Sequence, residues 1–195
     1  AELWAGEFKP EDRESMLSMK IQFDITKQAI EKWNPNVVLF DGPLLLHYGL
    51  MPSLEATNEY WDGFKATAKS AMDLLHTCFR KKIAIVGFVK RTRLNRLGEE
   101  FKDTFPNATY VRDTALLDLV LRLGQYTLLE LSPPKGGIVN QYREAGEALN
   151  LPKEEIAALI EFHSAYIRTG FNTPYRVELP KFCLDKLPEV CSLVY

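Results

Sequence analysis

Apolar positions in this chain follow two distinct rhythms. Over residues 11–33, Met19, Phe23, Ile30 and Trp33 share one helical face, while Lys20, Lys27 and Glu31 decorate the other. That spacing predicts a long amphipathic helix, ended by Pro35. A second helix is predicted from about residue 57 to 79, where Tyr60, Phe64, Ala68, Ala71, Leu75 and Cys78 recur at three- and four-residue spacing. A stripe of this kind is core packing. Flanking that helix are two unbroken apolar runs, Val37–Phe40 and Ile83–Val89. The second has the signature of a strand buried on both faces. Strand, long helix, strand is a βαβ unit, so the two strands should be parallel neighbours joined by a right-handed crossover.

The pattern continues less regularly beyond the second strand. Residues 113–123 predict a third helix, with Asp113 at the N-cap and Leu116, Val120 and Leu123 on one face. Ser132–Gly137 breaks the pattern as a Pro- and Gly-rich loop, and residues 139–149 and 153–162 suggest two short helices separated by Pro152. Ala165–Arg168 and Tyr175–Leu179 flank Gly170–Pro174 and read as a C-terminal β-hairpin. Strand alternation sends Glu178 to the side opposite Val177 and Leu179, toward solvent, and His163 reads as structural. The expectation is an α/β fold followed by a helical insert and a hairpin, without internal repeats.

Composition narrows the partners. At 195 residues the chain suffices for one well-buried domain, and 46% apolar with 26% charged residues is ordinary globular composition. A net charge of −2 gives no global pull toward nucleic acid, so any DNA contact must rest on a local basic cluster. Cys78, Cys183 and Cys191 are odd in number and never form a CxxC pair, which points to a reducing cytoplasm. No apolar run approaches the roughly 20 residues that span a bilayer.

Two features carry candidate chemistry. Asp41 follows the first strand directly and precedes Gly42 and Pro43. It therefore sits at the C-terminal strand edge, where open α/β sheets gather ligands and metals. Asp-Gly is also a common turn pair, so Asp41 has a second reading as a turn cap. Lys90, Arg91, Arg93 and Arg96 follow the second strand and leave the sheet at the same edge. Cations beside a metal-binding carboxylate suit a phosphodiester; a solvated loop is the alternative. Asp24, on the preceding helix beside core-facing Phe23, has two readings: a second carboxylate at the strand end, or a surface acid.

Four segments in order, Asn36–Leu45, Ile83–Arg93, Arg112–Leu117 and Pro174–Pro180, resemble the NurA nucleases. These are DNA end-resection nucleases that work with the hexameric translocase HerA. The resemblance implies an RNase H-like mixed sheet flanked by helices. It also implies Mn2+- or Mg2+-dependent cleavage of DNA, 5′-3′ exonuclease or endonuclease, by a homodimer in double-strand-break repair. By position, Asp41 matches the family's metal-binding aspartate and Asp24 the acidic residue on the helix before it. Lys90 matches the lysine after the next strand, and Arg112 and Asp113 match the following helix start. Arg91, Arg93, Arg96 and Arg112 join Lys90 as the expected DNA contacts. The family's Val-Asp-Gly-Ser strand and its closing Tyr…His segment are not matched, so residues 1–195 are expected to form a single NurA-like domain incomplete at both ends.

The leading expectation is thus a metal-dependent nuclease in which Asp41 is unpaired by Lys or Arg and has a second carboxylate nearby. The alternatives are a non-catalytic DNA- or translocase-binding subunit, and another α/β phosphohydrolase. Self-association is expected from an edge-forming hairpin at 165–179 and an apolar tail, Val190–Tyr195.

Overall fold

A computed structural model describes residues 10–46, 48–90, 96–130, 137–170 and 173–194. Its frame is a five-stranded mixed sheet, in the order β1-β2-β5-β4-β3, flanked by helices. The expected βαβ unit is present. Helix α1 (Pro10–Trp33) leads into strand β1 (Val37–Asp41), and helix α2 (Asn58–Lys81) crosses to strand β2 (Ala84–Val89). Strands β1 and β2 pair in parallel, with Phe40 opposite Gly87 and Asp41 opposite Phe88. Thr57 caps α2 by accepting the Tyr60 N–H at 3.3 Å, and Lys82 closes it in a left-handed conformation at φ 58°. All six residues of the expected α2 stripe are buried.

Helix α1 packs along α2, but its buried face is shifted from the expected one. Met16, Phe23 and Ile30 are buried, whereas Trp33 is 69% exposed. Lys27, expected on the solvent face, reaches α2 and binds Asp73 at 2.6 Å. A stripe drawn from four residues of a 24-residue helix leaves its rotation loosely set, and packing against α2 chose it.

The chain after β2 departs further. Short helix α3 (Arg96–Glu100) precedes helix α4 (Asp113–Val120), which stops before the expected residue 123. Its buried face carries Asp113 and Leu117, while Val120 and Leu123 are exposed. Strand β3 (Tyr126–Glu130) has no counterpart in the pattern reading. It is assigned by its ladder, pairing antiparallel with β4. The expected loop at 132–137 lies almost wholly outside the described residues. Helix α5 (Gly137–Ala148) is followed by helix α6 (Lys153–Ile160), which ends early because strand β4 (Phe162–Ile167) starts there.

Strand β5 (Tyr175–Pro180) pairs antiparallel with β4 on one side and with β2 on the other. These two strands lie inside the sheet rather than at an edge, and every β4 residue is buried. The edges are β1 and β3. The C-terminal segment is partly bare, as expected: in helix α7 (Leu187–Val194), Leu193 is exposed, while Val190 and Cys191 are buried in the core. Of the two features offered as reasons for self-association, the hairpin edge is therefore lost and the partly bare tail remains at Leu193.

Candidate functional site

The parallel pairing places the ends of β1 and β2 side by side, and this brings Asp41 and Lys90 together. Lys90 Nζ donates to Asp41 Oδ2 at 2.9 Å, with the side chains 60% and 73% exposed. The expectation that Asp41 would lack a basic partner is corrected by this contact. The turn-cap reading fares no better, because the Gly42 N–H bonds the Phe40 and Phe88 carbonyls rather than the Asp41 carboxylate. An ion pair this exposed contributes roughly 0–1 kcal/mol. Its two charges are thus available to separate ligands: the cation to an anion, the carboxylate to a cation.

The turn that follows Asp41 is clamped from behind. Gly42 has φ +132°, a conformation side chains rarely adopt. Residues 42–44 then pass over β2 so closely that a Cβ at Gly87 would lie 2.7 Å from the Gly42 carbonyl oxygen. The Leu44 N–H donates to Glu178 Oε2 at 3.2 Å, and the Leu46 N–H donates to the Tyr142 hydroxyl of α5 at 2.7 Å. Burial pushes the Tyr142 hydroxyl well above its usual range, and the charge of Glu178 adds to the shift. Glu178, expected toward solvent, is only 8% exposed and paired with Arg176. Alternation did separate it from Val177 and Leu179, but both faces of β5 are covered. The usable signal was a like-facing Arg–Glu pair inside an apolar strand.

Asp24 is paired from within its own helix. Its carboxylate receives the Lys20 ammonium at 2.6 Å. Burial raises its pKa, but hydrogen bonds from Lys20 and from Ser70 of α2, with the charges of Lys20 and Lys27, outweigh that and hold it below the usual value. Its neighbour Phe23 does reach the site strand, stacking on Phe40 with ring centroids 5.1 Å apart. The helix therefore points one residue at β1 and the next at α2.

Of the other expected DNA contacts, Arg91 and Arg93 lie outside the described residues, and Arg96 begins α3. Arg112 is exposed at the N-cap position of α4 and makes no side-chain cap bond. Asp113 is not the N-cap. It is fully buried, accepting the Leu97 N–H and the Tyr166 hydroxyl, each at 2.9 Å. It thereby ties α3 and α4 to β4.

Carboxylates are the right donors for Mn2+ or Mg2+, and Asp41 presents one at this edge. Among the described residues no group of three or more His, Cys, Asp or Glu side chains could hold a metal ion. No described helix is long and apolar enough to cross a membrane.

The mixed sheet thus presents an exposed carboxylate–lysine pair at the ends of its two parallel strands, one group suited to a cation and one to an anion. The NurA domain model matches residues 5–195, and the chain belongs to the NurA family. That family is nuclease-related and is associated in general with DNA and with partner ATPases. Comparison with curated proteins and with solved structures yields no match.

Proposed function

We propose that this chain is a divalent-metal-dependent deoxyribonuclease, a 5′-3′ exonuclease or endonuclease acting in DNA end resection with a HerA-type hexameric ATPase. The observation that carries the proposal is the exposed Asp41–Lys90 pair at the parallel edge of a NurA-family sheet. In this reading Lys90 leaves Asp41 for a non-bridging phosphate oxygen, placing the phosphodiester against the strand edge. Asp41, released from the lysine, would be a ligand for Mn2+ or Mg2+. Asp24 is the second proposed ligand and would first have to part from Lys20. Bound there, the ion would lower the pKa of water and offset the charge that develops on phosphorus. Arg91, Arg93, Arg96 and Arg112 are the further proposed phosphate contacts. We take the mixed sheet to be of the RNase H-like kind, and the active species to be a homodimer in the cytoplasm.

The test is degradation of end-labelled DNA in Mn2+ by the wild type and by Asp41→Asn. The variant should lose activity by at least about a hundredfold while unfolding at an unchanged midpoint, because its carboxylate is exposed and takes little part in the core. Equal cleavage by the two proteins would rule out Asp41 as a ligand. One observation favours a second reading, a non-catalytic subunit that binds DNA or the ATPase: among the described residues no group of three or more possible metal ligands is found, and Asp41 is already held by a lysine. No cleavage in Mn2+ or Mg2+, alone or with the ATPase, together with retained binding, is the outcome that would select it.

A further inference from the structure

Two aromatic rings share the Asp41–Lys90 face of the sheet. Asp41 is the register partner of Phe88, and strand alternation puts Leu39, Asp41, Phe88 and Lys90 on one side. The Lys90–Asp41 bond bears this out. Tyr175, at the start of β5, reaches the same side, with its ring centroid 5.0 Å from that of Phe88 and the planes tilted by 41°. Along this face the sheet emerges gradually from the core. Val86 and Val177 are sealed, Phe88 and Tyr175 are half-buried, and Lys90 stands in solvent. The rings therefore back onto the core and leave part of their surface open beside the charged pair.

From this placement we propose that Phe88 and Tyr175 form a stacking platform for an unpaired nucleobase beside the phosphate that Lys90 would hold. The proposal rests on the nuclease reading and adds two base-contacting residues to it. An aromatic face accepts any base because every base has a π-surface, whereas a paired duplex keeps its bases stacked on one another and offers none. The neighbouring lysine supplies the sequence-independent phosphate contact that such sites combine with stacking.

The experiment compares short fluorescent oligo(dT) with an abasic strand of equal length, by anisotropy at low salt in EDTA, where metal-dependent cleavage is silent. Wild type should bind oligo(dT) at least about fivefold tighter than the abasic strand. Phe88→Leu and Tyr175→Leu should bring that ratio close to one while leaving abasic binding unchanged, and Phe88→Tyr should restore it. A ratio near one in the wild type overturns the platform, as does a ratio that survives both leucine substitutions. Loss of binding to both strands alike in the leucine variants, or failure of the wild type to bind either strand, overturns it too. Separate cleavage assays keep the two ideas apart. Cleavage without base preference leaves the nuclease and removes the platform; base preference without cleavage in Mn2+ or Mg2+ does the reverse.

Discussion

Asp41 and Glu178 bear the same charge and lie close to the same turn, yet burial gives them opposite duties. Asp41 and Lys90 face water, so truncating Lys90 to Ala should alter stability by less than about 1 kcal/mol. On the nuclease reading it should weaken DNA binding instead. Glu178 and Arg176 are 10% and 13% exposed at their side chains, and Glu178 also receives the Leu44 amide. Glu178→Gln would strand the guanidinium in the sheet interior, where Arg176 Nε already has no hydrogen-bond partner among the described residues. We expect a loss of about 3 kcal/mol in urea unfolding. A loss similar to that of Lys90→Ala would show that the buried pair does not hold the turn. Asp113 repeats the theme: its position suited a helix cap, but the side chain turns inward to Leu97 and Tyr166. Local sequence signals where a carboxylate can cap, not which distant donor will compete for it.

Among the elements, β1, α2 and β2 were legible because each has a clean period. They set the strand direction and hence the shared edge of Asp41 and Lys90. The closeness of the following turn to β2 was not legible, and it makes Gly87 the sensitive position. A Cβ there would meet the Gly42 oxygen at 2.7 Å and the Leu44 nitrogen at 3.2 Å, both backbone atoms that only a shift of the turn can relieve. Gly87→Ala should cost about 1–3 kcal/mol and reduce activity by displacing Asp41. Gly170→Ala, with nothing among the described residues within 4 Å of the added methyl group, should be close to neutral in the same unfolding experiment. Equal behaviour of the two variants would refute the close-approach argument. Strand β3 escaped the pattern reading because Tyr126–Glu130 mixes residues that suit strand and helix, and only the ladder with β4 decides between them.

On the scale of the whole molecule, self-association remains our proposal, with further surfaces behind it. The hairpin lies inside the sheet and Val190 and Cys191 of the tail are packed, but Leu193 is exposed and α1 leaves Leu17, Ile21 and Ile25 exposed at four-residue spacing. Leu39 on edge strand β1 is exposed as well. An edge strand and apolar groups left in water favour association. Sedimentation should show a dimer at tens of micromolar, roughly the range in which a modest interface populates. A strictly monomeric profile there would count against it.

What the sequence by itself determined is whatever follows from period and chain direction. These are two long helices, a parallel strand pair, and a carboxylate and a basic cluster leaving the sheet at one edge. Four ordered segments also pointed to the family. The tertiary structure alone decided the strand order, the burial of Glu178 and Asp113, the pairing of Asp24 with Lys20 and Ser70, and the bond between Lys90 and Asp41. The physical reason is the range of these interactions. Leu44 meets Glu178, and Asp113 meets Tyr166, across long stretches of chain. No local propensity encodes such a meeting; it arises when the buried faces of separate elements choose one packing and polar groups in that core must find partners there.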